Sequence, residues 1–137
     1  MGNTKSIGIA YSDQDINGAD IILSNSQFGY TAAAQGRVTQ LTSKSTGVTL
    51  NKSAGQITMN NAALLGADAV SFTLTNNFIS PNDIIILNVG GGATVAAYTV
   101  YVSSLGTGTA VLTLRNMTAA TSLSEAVVIN FSLIHCA

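Results

Sequence analysis

The stretch Gly55–Asn76, GQITMNNAALLGADAVSFTLTN, decides the fold. In its second half Val70, Phe72 and Leu74 alternate with Ser71, Thr73 and Thr75. That period of two puts apolar and hydroxyl side chains on opposite faces of an extended chain. Its first half, GQITMN, repeats the pattern, and a polar connection lies between. The segment NNAALLGADA in the middle contains good helix formers and has room for a single helical turn. Asp68 is the only ionisable side chain in the whole stretch, so this most regular part of the sequence offers no group that reacts.

Outward from there the same alternation recurs. It predicts strands at 37–42, 47–51, 55–60, 69–76, 83–89, 96–105, 110–117 and 125–134, separated by small polar turns such as NKSAG, GGGAT and GTGT. In the last of these, Val127, Ile129, Phe131 and Leu133 share a face. DIIILNV (83–89) is apolar at nearly every position, which suits a central strand covered on both faces or a strand at an interface. Eight short strands on short loops predict an all-β, antiparallel β-sandwich, with the strand number favouring a jelly roll. Residues 1–36 lack the regular pattern and read as an N-terminal arm or accessory hairpin, leaving residues 37–137 as the sandwich domain.

Composition narrows the function. Charged residues make up 8% of the 137 positions, against about 25% in ordinary soluble domains. Apolar residues reach 47%, yet no apolar run approaches the roughly 20 residues of a membrane helix. With 6% aromatics and no Trp, an aromatic girdle for a membrane barrel is missing as well. An apolar surface hidden by assembly accounts for this balance, because monomers rarely expose large apolar patches. The cations Lys5, Arg37, Lys44, Lys52 and Arg115 are scattered and the net charge is −1; nucleic-acid binding would need them clustered. The start of the chain has no apolar signal region, and a single cysteine allows no internal disulfide. Synthesis and maturation in a reducing cytoplasm are expected.

Few constellations offer chemistry. DQDING places Asp13, Asp15 and Asn17 at alternate positions before Gly18, as a calcium loop begins, but Ser24 stands where the bidentate Glu would be needed. This makes Asp13, Asp15 and Asn17 a weak calcium candidate beside the simpler reading of a polar turn. His135 and Cys136 are adjacent on a strand and therefore point to opposite faces, which excludes a catalytic dyad. Asp20, Asp68, Asp83 and Glu125 begin strands or sit in loops; Asp83 and Glu125 would be a candidate acid pair if they met at one end of the sandwich. NVGGGATVAAY lacks the Lys-Ser/Thr of a phosphate loop. Tyr98 and Tyr101, near the loop Gly90–Thr94, are sugar-stacking candidates, although their odd spacing puts them on opposite faces. No cofactor is expected.

The blocks SKSTGVTLNK (43–52), GQITMNNAAL (55–64) and SLSEAVVINF (122–131) resemble a set of small virion structural proteins of tailed bacteriophages, over about residues 36–137. The resemblance implies a capsid decoration (cement) protein, a homotrimer on the outer capsid surface that stabilises contacts between major capsid protein subunits. It brings no catalytic residue. The alternative is a tail-fibre or receptor-binding module that recognises host carbohydrate. In the cement reading, Ile7, Ile9, Tyr11, Ile21, Ile22 and Leu23 of the arm are the candidate partner-binding residues. SIGIAY would then add as a strand to a neighbour's edge, and neither nucleic acid nor membrane is a partner.

Overall fold

The computed structural model describes residues 25–136. All eight expected strands form: β1 (Gln35–Thr39), β2 (Val48–Thr49), β3 (Ala54–Thr58), β4 (Ala69–Thr75), β5 (Ile84–Gly91), β6 (Tyr98–Gly106), β7 (Thr109–Asn116) and β8 (Val128–Ile134). They make two four-stranded sheets, ordered β1-β3-β8-β5 and β2-β4-β7-β6. Alternation builds the core. Ile57, Ile85, Ile129, Phe131 and Leu133 of the first sheet join Val48, Phe72, Leu74, Leu112 and Leu114 of the second in one buried cluster. Each such side chain contributes roughly 1.5–3 kcal/mol on burial, and the outward-facing Ser71, Thr73 and Thr75 stay exposed.

The pairing is mixed rather than wholly antiparallel. β1 pairs β3, and β2 pairs β4, in parallel. The chain passes from the first sheet to the second and back between β1 and β4, so strands of one sheet that are two apart in sequence run the same way. A parallel pair needs a connection of a dozen or more residues, and residues 40–53 and 50–68 provide it by carrying the intervening strand. An all-antiparallel jelly-roll pairing does not accommodate these two outer pairs.

Two further expectations are corrected. NNAALLGADA forms no helical turn; Leu64 is buried and bridges Leu123 through reciprocal backbone hydrogen bonds of 2.9 and 3.0 Å. Burial of one leucine outweighs the small intrinsic preference for helix. DIIILNV is not central: β5 is the outermost strand of its sheet and leaves Ile84 and Ile86 exposed. The described part of the arm lies against the body. It holds a short 3-10 helix at Ala32–Ala34, and the Tyr30 hydroxyl donates to the Leu133 carbonyl.

Strand direction sorts the connections into two ends. Loops 40–47, 59–68, 92–97 and 117–127 all lie at one end, and each joins one sheet to the other. Connections 50–53, 76–83 and 107–108 occupy the opposite end with the chain's last described residues.

Candidate functional site

The four-loop end is held by polar side chains that are themselves buried. Gln40, at the end of β1, donates to the carbonyls of Lys44 (3.0 Å) and Thr46 (2.7 Å) and accepts from the Asn60 amide at 3.1 Å. Lys44 is only 3% exposed. Its ammonium donates to the carbonyls of Asn60 (2.6 Å) and Glu125 (2.5 Å), tying three loops together. Burial pushes the Lys44 pKa down, partly offset by the Glu125 carboxylate.

Glu125 reaches the fourth loop, accepting from the Thr94 hydroxyl (2.7 Å) and the Thr94 amide (3.1 Å); these bonds hold its pKa below the usual carboxylate range. Asn116, fully buried, closes the ring. Its amide donates to the Leu64 (3.0 Å) and Thr121 (2.9 Å) carbonyls, and its oxygen accepts from the Thr118 amide and hydroxyl.

On this fastened base every loop presents one large apolar side chain to solvent: Leu41 (85% exposed), Leu65, Val95 (93%) and Met117. Ala67 and Ala96, two residues from Leu65 and one from Val95, adopt left-handed backbone with φ of 62° and 63°. An alanine there costs of order 1 kcal/mol or more. Strain, buried charge and exposed apolar tips thus coincide at one end. The arrangement presents apolar side chains on hydrogen-bonded supports.

The sequence candidates fall elsewhere. Asp83 and Glu125 lie at opposite ends of the body, so they form no acid pair. Asp83 is buried in the end opposite the loops. It accepts from the Ser80 amide (2.8 Å), the Ser80 hydroxyl (2.7 Å) and the Cys136 amide (3.1 Å), with His135 Nδ1 at 2.7 Å. The Ser80 amide, with the other donors, lowers its pKa to about 2 against the opposing effect of burial.

Tyr98 packs against the core from the inner face of β6, whereas Tyr101 is exposed on the outer face. The Tyr98 hydroxyl is buried without a hydrogen-bond partner among the described residues, and burial, then the nearby Glu125, raise its pKa to about 12. Asn130 covers the Gly90 end of the Gly90–Thr94 loop, its side chain lying 2.5 Å from where a Gly90 Cβ would be. These residues therefore offer no paired stacking platform.

Asp13, Asp15 and Asn17, and Ile7, Ile9, Tyr11, Ile21, Ile22 and Leu23, lie outside the described residues. Among the described residues no three His, Cys, Asp or Glu side chains converge on a metal-sized site, and no helix is long and apolar enough to cross a membrane.

The loop end was not singled out in the sequence. Alternation gave little signal for it: Leu65 and Val95 stand in expected connections, but Leu41 and Met117 fall at the ends of expected strands (37–42 and 110–117).

No family model matches the chain, and no curated protein or solved structure gives a significant match.

Proposed function

We propose that this chain is a capsid decoration (cement) protein of a tailed bacteriophage, a sandwich-bodied homo-oligomer, a trimer by the sequence resemblance. It sits on the outer capsid surface and bridges major capsid protein subunits through its four-loop end. The observation that carries this is the set of Leu41, Leu65, Val95 and Met117 on loops locked by Lys44, Glu125 and Asn116. Apolar tips on rigid supports lose little entropy on docking, which is how modest contacts yield affinity. Repetition across the copies of an oligomer multiplies it. Lys44, Asp83 and Glu125 are engaged in fastening the body, which suits a structural part.

Co-sedimentation with empty phage capsids tests the proposal. The full chain should pellet with shells, and the double variant L41N/V95N should lose at least about tenfold in affinity while keeping its melting temperature. Equal binding by both proteins, or no binding by either, would overturn it.

One observation favours the carbohydrate reading as second choice. Arg37, Gln56, Asn130 and Asn88 are register partners on consecutive strands and form a polar row across the first sheet. The first three of them border a hollow of about 490 Å³ with Gln35. Specific glycan-array binding abolished by Q56A, with no capsid binding, would select that reading instead.

A further inference from the structure

The strands of the first sheet, QGRVT, AGQIT, IIILNVGG and VINFSLI, carry a single charge between them, the guanidinium of Arg37. Arg37 is exposed, and no carboxylate pairs with it among the described residues. The described acids are engaged elsewhere: Asp83 with Ser80 and His135, Glu125 with Thr94, and Asp68 with the Ala69 amide. A cation without a counter-charge on an otherwise neutral face favours an anionic group.

Side-chain amides continue from it across the sheet. Gln56 on β3 and Asn130 on β8 follow Arg37 in register, and both are half-buried. The Gln56 amide donates to Asn130 Oδ1 at 3.0 Å, which leaves Gln56 Oε1 and Asn130 Nδ2 without a partner among the described residues. Gln35 is held back by donating to the Tyr30 carbonyl at 2.8 Å. These four side chains border the hollow of about 490 Å³, to which Ala32 and Ala54 add only methyl groups. Adjacent strands stand about 4.8 Å apart, so the cation and the farther amide are roughly 10 Å from each other.

A guanidinium takes a carboxylate through two parallel hydrogen bonds. A side-chain amide offers a donor and an acceptor together, which suits a hydroxyl that needs both. A nucleic acid would require several cations along its phosphates, and this face has one. A small inorganic anion on Arg37 would not reach Asn130.

We infer that this hollow binds an acidic saccharide, with a sugar carboxylate on Arg37 and sugar hydroxyls on Gln56 and Asn130. The inference rests on the carbohydrate reading of this row and names its sugar class. It is compatible with capsid attachment, because no residue lining the hollow belongs to the four-loop end.

Titrating the full chain with a dihexuronate, with the corresponding neutral dihexose and with inorganic phosphate tests it, read by NMR at the side-chain amides of Gln56 and Asn130. The dihexuronate should shift both amides and bind at least about tenfold more tightly than the dihexose. R37Q should erase that difference, whereas R115Q, which alters an exposed arginine on the other sheet, should keep it. Equal binding of the two saccharides would keep a carbohydrate site and overturn the acidic preference. No shift with either saccharide would overturn both. Phosphate binding as tight as the dihexuronate's, or an R37Q variant that still prefers the acid, would also overturn the inference.

Discussion

Lys44 shows how a single buried charge organises a whole end of the molecule. Its two carbonyl partners belong to loops 59–68 and 117–127, and neither carbonyl has another hydrogen-bond donor among the described residues. Hydrogen bonds from a charged donor are worth about 1.5–3 kcal/mol each, and orphaned buried acceptors carry their own penalty. K44M keeps the side-chain volume and removes both bonds, so it should lower stability by about 2–4 kcal/mol in urea unfolding. A change under about 0.5 kcal/mol would show that the clasp is incidental. Asp83 fastens the opposite end and makes that end sensitive to acid. Its pKa is about 2 in the folded protein against an ordinary 3.8. A depressed carboxylate stabilises the fold fully above its unfolded value and loses that contribution as pH falls through the folded one. Melting temperature should therefore drop between about pH 4 and pH 2, with Glu125 acting in the same sense. D83N should melt lower at neutral pH and show a shallower acid decline; an unchanged decline would assign the acid sensitivity to other groups.

At the scale of elements, the loop between β5 and β6 holds two left-handed residues of opposite suitability. Gly92, with φ of 62°, has the Ala126 carbonyl where a side chain would begin, whereas Ala96, with φ of 63°, occupies a conformation that favours glycine. G92A should destabilise by more than about 2 kcal/mol, since it adds a steric conflict with backbone to the strain. A96G should be neutral or stabilise by up to about 1 kcal/mol, relief of strain being set against chain entropy. Thermal melts of both variants check the pair, and matching losses would show that the loop's backbone is not strained. The elements themselves were legible in the sequence, because alternation such as Val70-Ser71-Phe72-Thr73-Leu74 is a local property. Pairing was not: nothing in QGRVT or in the two-residue VT reveals that each lies parallel to a strand beyond the next crossing. The same limit left DIIILNV open between a central strand and one at an interface, since an edge strand and a central strand can have the same composition; its place at the end of the sheet removes the first. It also hid the Lys44 clasp, whose partners stand 16 and 81 residues away.

For the whole molecule, the distribution of charge dictates how attachment should respond to salt. The formal net charge is −1. Lys44, Asp83 and Glu125 are engaged within the body, and the exposed tips of the four-loop end are Leu41, Leu65, Val95 and Met117. Surface ion pairs weaken as the screening length shrinks from about 10 Å at 0.1 M salt to about 3 Å at 1 M. Apolar contact does not, and excluded salts such as sulfate strengthen it. On the proposed capsid reading, attachment through these tips should therefore hold constant between about 0.05 M and 1 M sodium chloride, and tighten in sulfate at equal ionic strength. Co-sedimentation across that series provides the measurement, with L41N/V95N as the control that removes the apolar tips. A steep loss of binding with salt would mean that ion pairs on another face, such as Arg37 or Arg115, carry the attachment. In that case the loop end would be a structural cap, its strained alanines reflecting only the short path between two sheets.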